Sequence, residues 1–319
     1  MKEYTYAVAR VRAKEASLLT PQDIDQLLSA DTYASALRMI RDRGYRSREG
    51  ADAEEVAAAA LNDVWDFVGG LEGAEALRIL RLGVDYHNIK AAVKSVFSGL
   101  DAEDLLLDHG TADKRAINES VKRRDYGELD PALAQVCEGA MALILRTQDG
   151  QACDIYVDRA MLAARDETAR ASGDSFIQGY AHLLIDTANL KAAYRCAAAE
   201  RSLSFIENAL YDGGSLNARE LASAAAAGPD ALRERVAATA YGGGAEAMKK
   251  GAAAFEKWCG DEIMRFVERA RWDSFTAAPI LAYYYAKSAE ISAVRLILSG
   301  KRNRLDDTRI RERVPMTYV

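Results

Sequence analysis

Few side chains in this sequence stand where catalysis or metal binding would need them. The three histidines, His87, His109 and His182, form no zinc motif, and no Glu-x-x-His pair supplies a carboxylate-bridged metal site. We interpret each as a surface or lightly paired histidine. No Gly-x-Ser-x-Gly nucleophile motif occurs, and no cysteine lies close in sequence to a histidine. The sequence therefore predicts no catalytic residue, no metal site and no cofactor.

Two stretches resemble ligand-binding motifs only in part. The sequence "GGGAEAMKKG" (242–251) has the glycines and lysines of a phosphate loop, but no strand precedes it and no Ser or Thr follows the lysines. We predict a flexible turn between helices there. The sequence "LDDTR" (305–309) contains half of the aspartate box of a helical prenyl-diphosphate site, and the second half is missing. Capping of a helix by Asp306 or Asp307 explains it better.

The composition is that of a globular protein with an acidic balance. Of 319 residues, half are hydrophobic and 28% are charged, and the net charge of −6 argues against nucleic-acid binding, which needs a basic face. The four widely spaced cysteines, at 137, 153, 196 and 259, predict reduced, buried thiols. No apolar run approaches the roughly 20 residues of a membrane span, and the first residues have no signal core. We expect a soluble, cytoplasmic chain that could work beside a membrane.

Helix signals dominate the chain. Capping residues precede apolar residues at helical spacing, and glycines follow them, whereas no run of alternating β-branched residues predicts a strand. The predicted starts are Thr20-Pro21, Asp52 with Glu55, Asp130-Pro131 and Asn217 with Glu220, and the predicted stops are Gly44, Gly69-Gly70, Gly99 and Gly300. The sequence therefore predicts an all-α protein.

One helical segment occurs twice. In "GVDYHNIKAAVK" (83–94) and "LIDTANLKAAYR" (184–195), an Asp-x-x-Asn-Ile/Leu-Lys-Ala-Ala pattern recurs 101 residues apart. A further step of 101 residues reaches Lys287, where Glu290 aligns with the two asparagines in a weaker third copy. The equal spacing predicts three similar helical units in a pseudo-threefold arrangement, with boundaries at 1–103, 104–204 and 205–319.

The C-terminal segment differs in charge from the chain as a whole, which is acidic. Lys301–Arg313 contains six basic and three acidic residues, which a solvated helix with weak ion pairs would also explain. The chain then ends on the apolar "VPMTYV", and such an ending favours docking against the body of the chain itself.

The sequence resembles the C subunits of bacterial and archaeal V/A-type ATPases (ATP synthases), which are the counterparts of the eukaryotic V-ATPase d subunit. The resemblance runs from Tyr4 to Val319 and includes "YAVARVRAKEASLL", the repeated helix and "YYYAKSAEISAVRLILSGKRNRLDDTRIRERVPMTYV". The residues that match the C-terminal pattern of the family are Lys287, Glu290, Ile291, Arg295, Gly300, Lys301, Asn303, Ile310, Arg311, Glu312, Arg313, Pro315, Tyr318 and Val319. The ending departs from that pattern, because two residues separate Pro315 from Tyr318 where the family has them adjacent.

The resemblance implies a funnel-shaped, all-helical rotor component that binds no nucleotide. Its implied partners are the D and F subunits of the central shaft and the membrane proteolipid ring, whose cytoplasmic face it would cap during ATP-linked proton or sodium transport. The candidate docking residues are Lys287, Glu290, Arg295, Lys301, Arg302, Asn303, Arg304, Arg309, Arg311 and Tyr318. The alternatives are an all-helical scaffold or a helical enzyme unrelated to ion transport, and no helix supplies the acid-rich or His-rich face that such an enzyme needs.

Overall fold

The computed structural model describes residues 4–319, and every regular element in that range is helical. This confirms the predicted all-α class. The chain divides into two compact units, which we call the terminal unit and the central unit. The terminal unit combines the residues up to Ala76 with Val236–Val319, and the central unit is Leu77–Arg235. The division into three repeats stays a prediction.

Sixteen α-helices lie within residues 4–319. They are α1 (Thr5–Glu15), α2 (Pro21–Leu28), α3 (Tyr33–Asp42), α4 (Ala53–Gly69), α5 (Arg78–Ser98), α6 (Lys114–Arg123), α7 (Pro131–Thr147), α8 (Gly150–Ser172), α9 (Ser175–Ala198), α10 (Leu203–Ala209), α11 (Ala218–Ala226), α12 (Pro229–Ala237), α13 (Gly242–Lys249), α14 (Ala252–Val267), α15 (Ala278–Arg302) and α16 (Asp307–Arg311). Short 3-10 helices occupy Ala74–Leu77, Glu103–Leu105 and Glu268–Trp272.

The predicted helix starts are confirmed by capping hydrogen bonds. Thr20 and Asp52 each accept the backbone N–H three residues on, and the side chain there, Asp23 or Glu55, accepts the N–H of the cap in return. Asp130 caps α7, which begins on a proline, and Asn217 caps α11. These contacts are local, so the residues that make them can be recognised in the sequence.

One predicted turn is a helix. Residues 242–249 form α13, and the turn comes only afterwards, at Gly251, where φ is +107°. Gly243 and Gly244 lie against the indole of Trp258, and a Cβ on Gly244 would lie 2.8 Å from that ring. The prediction was wrong because tertiary packing offsets the low helix propensity of glycine here.

Gly300 does not end α15, which continues to Arg302. The glycine is buried, and a Cβ there would collide with the side chain of Ile310. Its role is to let α16 approach α15 closely, so the predicted stop at this position was wrong. Gly99, by contrast, ends α5 as predicted, with a left-handed φ of +72°.

Helix α15 is the centre of the terminal unit. It packs against α1, α3, α4 and α14. Its aromatic residues contact α4, where the rings of Tyr284 and Trp65 have centroids 4.4 Å apart and Tyr283 meets Phe67 edge-on. This helix at the C-terminal end of the chain is therefore enclosed by helices from the N-terminal end.

The central unit has a core between α5, α6, α7 and α8. Ile89, Ile117, Ile144 and Val157, one from each helix, are all fully buried in it. Helix α9 packs against α8, α10 and α11. The repeated sequence pattern therefore lies on two long helices of this unit, α5 and α9.

The recurring asparagines bind the backbone of a loop that follows each long helix. The Asn88 amide donates to the Leu107 carbonyl and accepts from the Leu107 N–H, at 2.9 and 2.8 Å. Asn189 makes the same two bonds to Tyr211, at 2.7 and 3.0 Å. Both asparagines are at most 1% exposed, so these bonds satisfy amides that water does not reach.

The recurring aspartates bind the residues just before the cap of a later helix, which is α6 for Asp85 and α11 for Asp186. Asp85 accepts bonds from the N–H and hydroxyl of Thr111 and from the N–H of Ala112. Asp186 accepts equivalent bonds from Ser215 and Leu216, at 2.6 to 3.0 Å. Both carboxylates have no solvent exposure, and a buried carboxylate needs such donors to offset its loss of hydration.

Glu290, which aligns with the two asparagines, also binds a loop backbone. Its carboxylate accepts from the Leu19 N–H at 2.6 Å, from the Tyr45 hydroxyl at 2.7 Å and from the Lys287 ammonium. Leu19 precedes Thr20, the cap of α2. The long helix at the end of the chain thus holds a loop near its beginning.

We predict that Gly214→Ala destabilises the protein by about 1–3 kcal/mol, because a methyl group there would overlap the Asp186 carboxylate. Chemical denaturation followed by helical circular dichroism measures the change. The control is Gly150→Ala, since no atom lies within 4 Å of a Cβ at that position in the first turn of α8. Equal stability of the two variants would contradict the role assigned to Asp186.

A second prediction concerns Tyr45. Burial, and then the neighbouring Glu290 carboxylate, raise the pKa of its hydroxyl far above the usual range. The folded protein therefore keeps this proton after the unfolded chain has lost it. The stabilisation is complete below about pH 10 and is lost as pH rises further.

Tyr45→Phe should lower the free energy of unfolding at pH 8 by about 1–3 kcal/mol, because Glu290 loses a donor. The deficit should shrink by about 1.4 kcal/mol per pH unit above pH 10, since the variant lacks the titrating group. Urea denaturation from pH 8 to 11 tests this. Tyr6→Phe, at a side chain that is 75% exposed, is the control. A deficit that stays constant with pH would refute the assignment.

Candidate interaction surface

The basic C-terminal segment folds back after α15. The N–H of Leu305 donates to the Gly300 carbonyl at 2.9 Å, and Ile310 of α16 is buried against α15. Asp306 caps α16 by accepting the Thr308 N–H at 2.9 Å, which confirms the predicted capping role. Hydrogen bonds from Thr308 lower the pKa of this carboxyl, so it is ionised at neutral pH.

The arginines of this segment point to solvent. Arg302, Arg304 and Arg309 are exposed, and within residues 4–319 none of the three forms an ion pair with an acid. Arg311 is also exposed but pairs with Asp25 on α2. Of the predicted docking residues, these three arginines offer the most accessible positive charge, and their docking to a partner stays a prediction.

The other candidate docking residues make contacts within the chain. Lys287 and Glu290 belong to the buried cluster with Tyr45, and the Lys287 ammonium lies 4.5 Å from the centroid of that ring. The remaining contacts are Arg295 with Glu54, Lys301 with Asp307, and the Asn303 amide with the Ser299 carbonyl. Their participation in an interface stays a prediction.

The last residues dock against the chain itself, as predicted. Tyr318 is 3% exposed, and its hydroxyl donates to Glu15 at 3.2 Å. The N–H of Met316 donates to Asp261 at 2.9 Å, and Arg271 lies over the Tyr318 ring. The end of the chain is therefore part of the packed terminal unit.

The histidines and cysteines are the residues that were considered above for chemistry. His182 is exposed, and His87 makes one ring-nitrogen contact, with the Leu105 carbonyl. In the part of the chain that the structure describes, the four buried cysteines form no disulfide, and no cluster of His, Cys, Asp and Glu could hold a metal ion. Burial raises the pKa of Cys137 to about 12 and that of Cys153 to about 11, which keeps both thiols protonated at neutral pH.

One exposed feature was missed in the sequence. In "ERARWDSF" (268–275), Trp272 is 90% exposed and Phe275 is 76% exposed. Two large aromatic residues beside Arg269 and Arg271 are a pattern that reading the sequence could have found. Whether such a pattern forms a binding surface depends on how far the two aromatic side chains are exposed to solvent, and the periodicity of the sequence does not reveal that.

No helix within residues 4–319 combines the length and the apolar character that crossing a membrane requires.

Comparison with known proteins covers nearly the whole chain. A model of the ATP synthase (C/AC39) subunit family matches residues 7–313. The C subunit of the V-type ATP synthase of Thermus thermophilus is 27% identical, and the alignment covers 94% of each chain. The C subunit of the V-type sodium ATPase of Enterococcus hirae is 22% identical over 99% of each, and that of the A-type ATP synthase of Haloquadratum walsbyi is 24% identical over 96% of each. Because the family match extends over almost all of the described helices, the chain belongs to the ATP synthase (C/AC39) subunit family.

Proposed function

We propose that this protein is a non-catalytic rotor component of a V/A-type rotary ATPase. It couples the central shaft, formed by the D and F subunits, to the proteolipid ring on the cytoplasmic face of the membrane, and so serves ATP-linked proton or sodium transport. The observation that carries the proposal is the family match over residues 7–313, together with relatives named as C subunits that align along nearly their full length.

We also propose a pseudo-threefold, funnel-shaped arrangement of three similar helical units. It is supported by the equivalent backbone contacts of Asn88, Asn189 and Glu290, which lie at a regular spacing of 101 residues on three long helices. In this arrangement the third unit is completed by the loop at Leu19. Buried contacts of this kind make the protein stiff, which a part that transmits torque requires.

Co-purification tests the proposed function directly. The tagged chain should bind a purified D–F shaft and a detergent-purified proteolipid ring from the same organism. We expect one copy of the chain per shaft and one copy per ring. A chain that binds neither partner, although it is folded by circular dichroism, would refute the rotor role.

We predict that neutralising Arg302, Arg304, Arg309 and Arg311 together, each to Gln, weakens assembly with the shaft or the ring. The loss should be largest at low ionic strength, because salt screens the charges that these exposed side chains contribute. Binding isotherms at several salt concentrations measure it. Most of the effect should come from the first three residues, since Arg311 already pairs with Asp25.

A quadruple variant of exposed arginines in the central unit controls for the change in net charge; its substitutions are Arg115→Gln, Arg146→Gln, Arg195→Gln and Arg219→Gln. If the C-terminal quadruple variant binds both partners with the affinity and the salt dependence of the parent, the basic segment serves only internal packing.

A further inference from the structure

The loop that precedes α15 exposes two large aromatic side chains. We use the name aromatic loop for residues 268–277, which comprise the 3-10 helix Glu268–Trp272 and the five residues after it. Trp272 at 90% exposure and Phe275 at 76% are among the most exposed large hydrophobic residues of the described chain. Neighbouring exposed aromatic residues of this size are typical of a surface that a partner covers.

The aromatic loop is held in one shape by polar contacts. The Arg12 guanidinium donates to the carbonyls of Ala270 and Asp273, at 2.7 and 2.9 Å. The Asp273 carboxylate accepts from the N–H groups of Phe275 and Thr276 and from the Thr276 hydroxyl. A loop fixed in this way presents its aromatic residues with little loss of entropy on binding.

The end of the chain supports the same loop. Glu15 forms an ion pair with Arg12 at 2.7 Å and accepts the hydroxyl of buried Tyr318. Arg271 packs over the Tyr318 ring, with 5.3 Å between the guanidinium carbon and the ring centroid. The aromatic loop therefore rests on a buried network and does not depend on the exposed side chains for its shape.

The charged side chains of the aromatic loop that are fully exposed are both arginines, whereas Glu268 and Asp273 are partly buried. Arg269 and Arg271 are exposed, and among residues 4–319 neither forms an ion pair with an acid. The Asp273 carboxylate is engaged by the backbone and hydroxyl donors of its own loop. Arginines beside tryptophan and phenylalanine complement an apolar groove that has carboxylates at its rim.

The aromatic loop and the basic C-terminal segment lie at opposite ends of one helix. Helix α15 has 25 residues, which corresponds to about 37 Å at 1.5 Å per residue. The aromatic loop directly precedes the N-terminal end of α15, and the basic segment follows its C-terminal end. Two surfaces at opposite ends of so long a helix suit two different partners.

We propose that the aromatic loop is the docking surface for the membrane-side partner and inserts Trp272 and Phe275 into an apolar groove rimmed by carboxylates. This inference rests on the proposed function, in which that partner is the proteolipid ring. The membrane-side assignment follows from the side chains. Tryptophan beside arginine is favoured at the depth of the lipid headgroups, where one end of the indole contacts hydrocarbon and the other contacts water.

The test is the double variant Trp272→Ala, Phe275→Ala, with binding to the detergent-purified proteolipid ring and to the D–F shaft measured separately. We expect at least a tenfold loss of affinity for the ring and an unchanged affinity for the shaft. Both side chains are exposed, so the variant should keep the circular dichroism and unfolding midpoint of the parent. The matched control is Leu305→Ala, at an exposed apolar side chain beyond the other end of α15.

A second readout follows Trp272 itself. Iodide quenching of tryptophan fluorescence should fall when the parent binds the ring, and Trp272→Phe should abolish that change. Any of three results would overturn the inference. The double variant could bind the ring with an affinity within twofold of the parent, or it could lose affinity for the shaft and keep its affinity for the ring. Protein-free anionic vesicles could also bind the parent but not the variant. If the parent binds neither ring nor shaft, the proposed function fails, and this outcome is distinct from an unaffected variant.

Discussion

The fold depends on buried polar side chains that the long helices cannot satisfy by themselves. Asp85 and Asp186 have no access to water, and their negative charge is tolerated only because backbone and hydroxyl donors from a later segment surround it. Each aspartate therefore dictates where the following loop must lie. Gly110 and Gly214 come just before the residues that donate these bonds. A Cβ at either position would overlap the carboxylate of Asp85 or Asp186.

The same principle connects the two ends of the chain. Glu290 near the end binds the backbone of Leu19 near the beginning, and Tyr318 binds Glu15. These contacts join residues that are 271 and 303 positions apart in the sequence. The terminal unit therefore combines segments from both ends of the chain, and the sequence between them makes a compact unit of its own.

Helix α15 relates this architecture to the proposed role. Its middle is buried against other helices of the terminal unit, whereas its two ends lead into exposed surfaces of different chemistry. Arginines dominate one surface, around Arg302 and Arg309, and aromatic residues dominate the other, around Trp272. A stiff helix between two unlike surfaces is well suited to hold two partners at a constant distance and to pass torque between them.

The sequence by itself determined the helical class, the caps at residues such as Thr20 and the recurrence of Asp85 and Asn88, because these depend on neighbouring residues or on spacing along the chain. It also identified the basic segment by composition. Only the tertiary structure decided that Gly300 lies inside a helix, that Glu290 is buried and that Trp272 is exposed. Those outcomes depend on which distant segments pack together, and a single sequence does not encode these contacts in any local pattern.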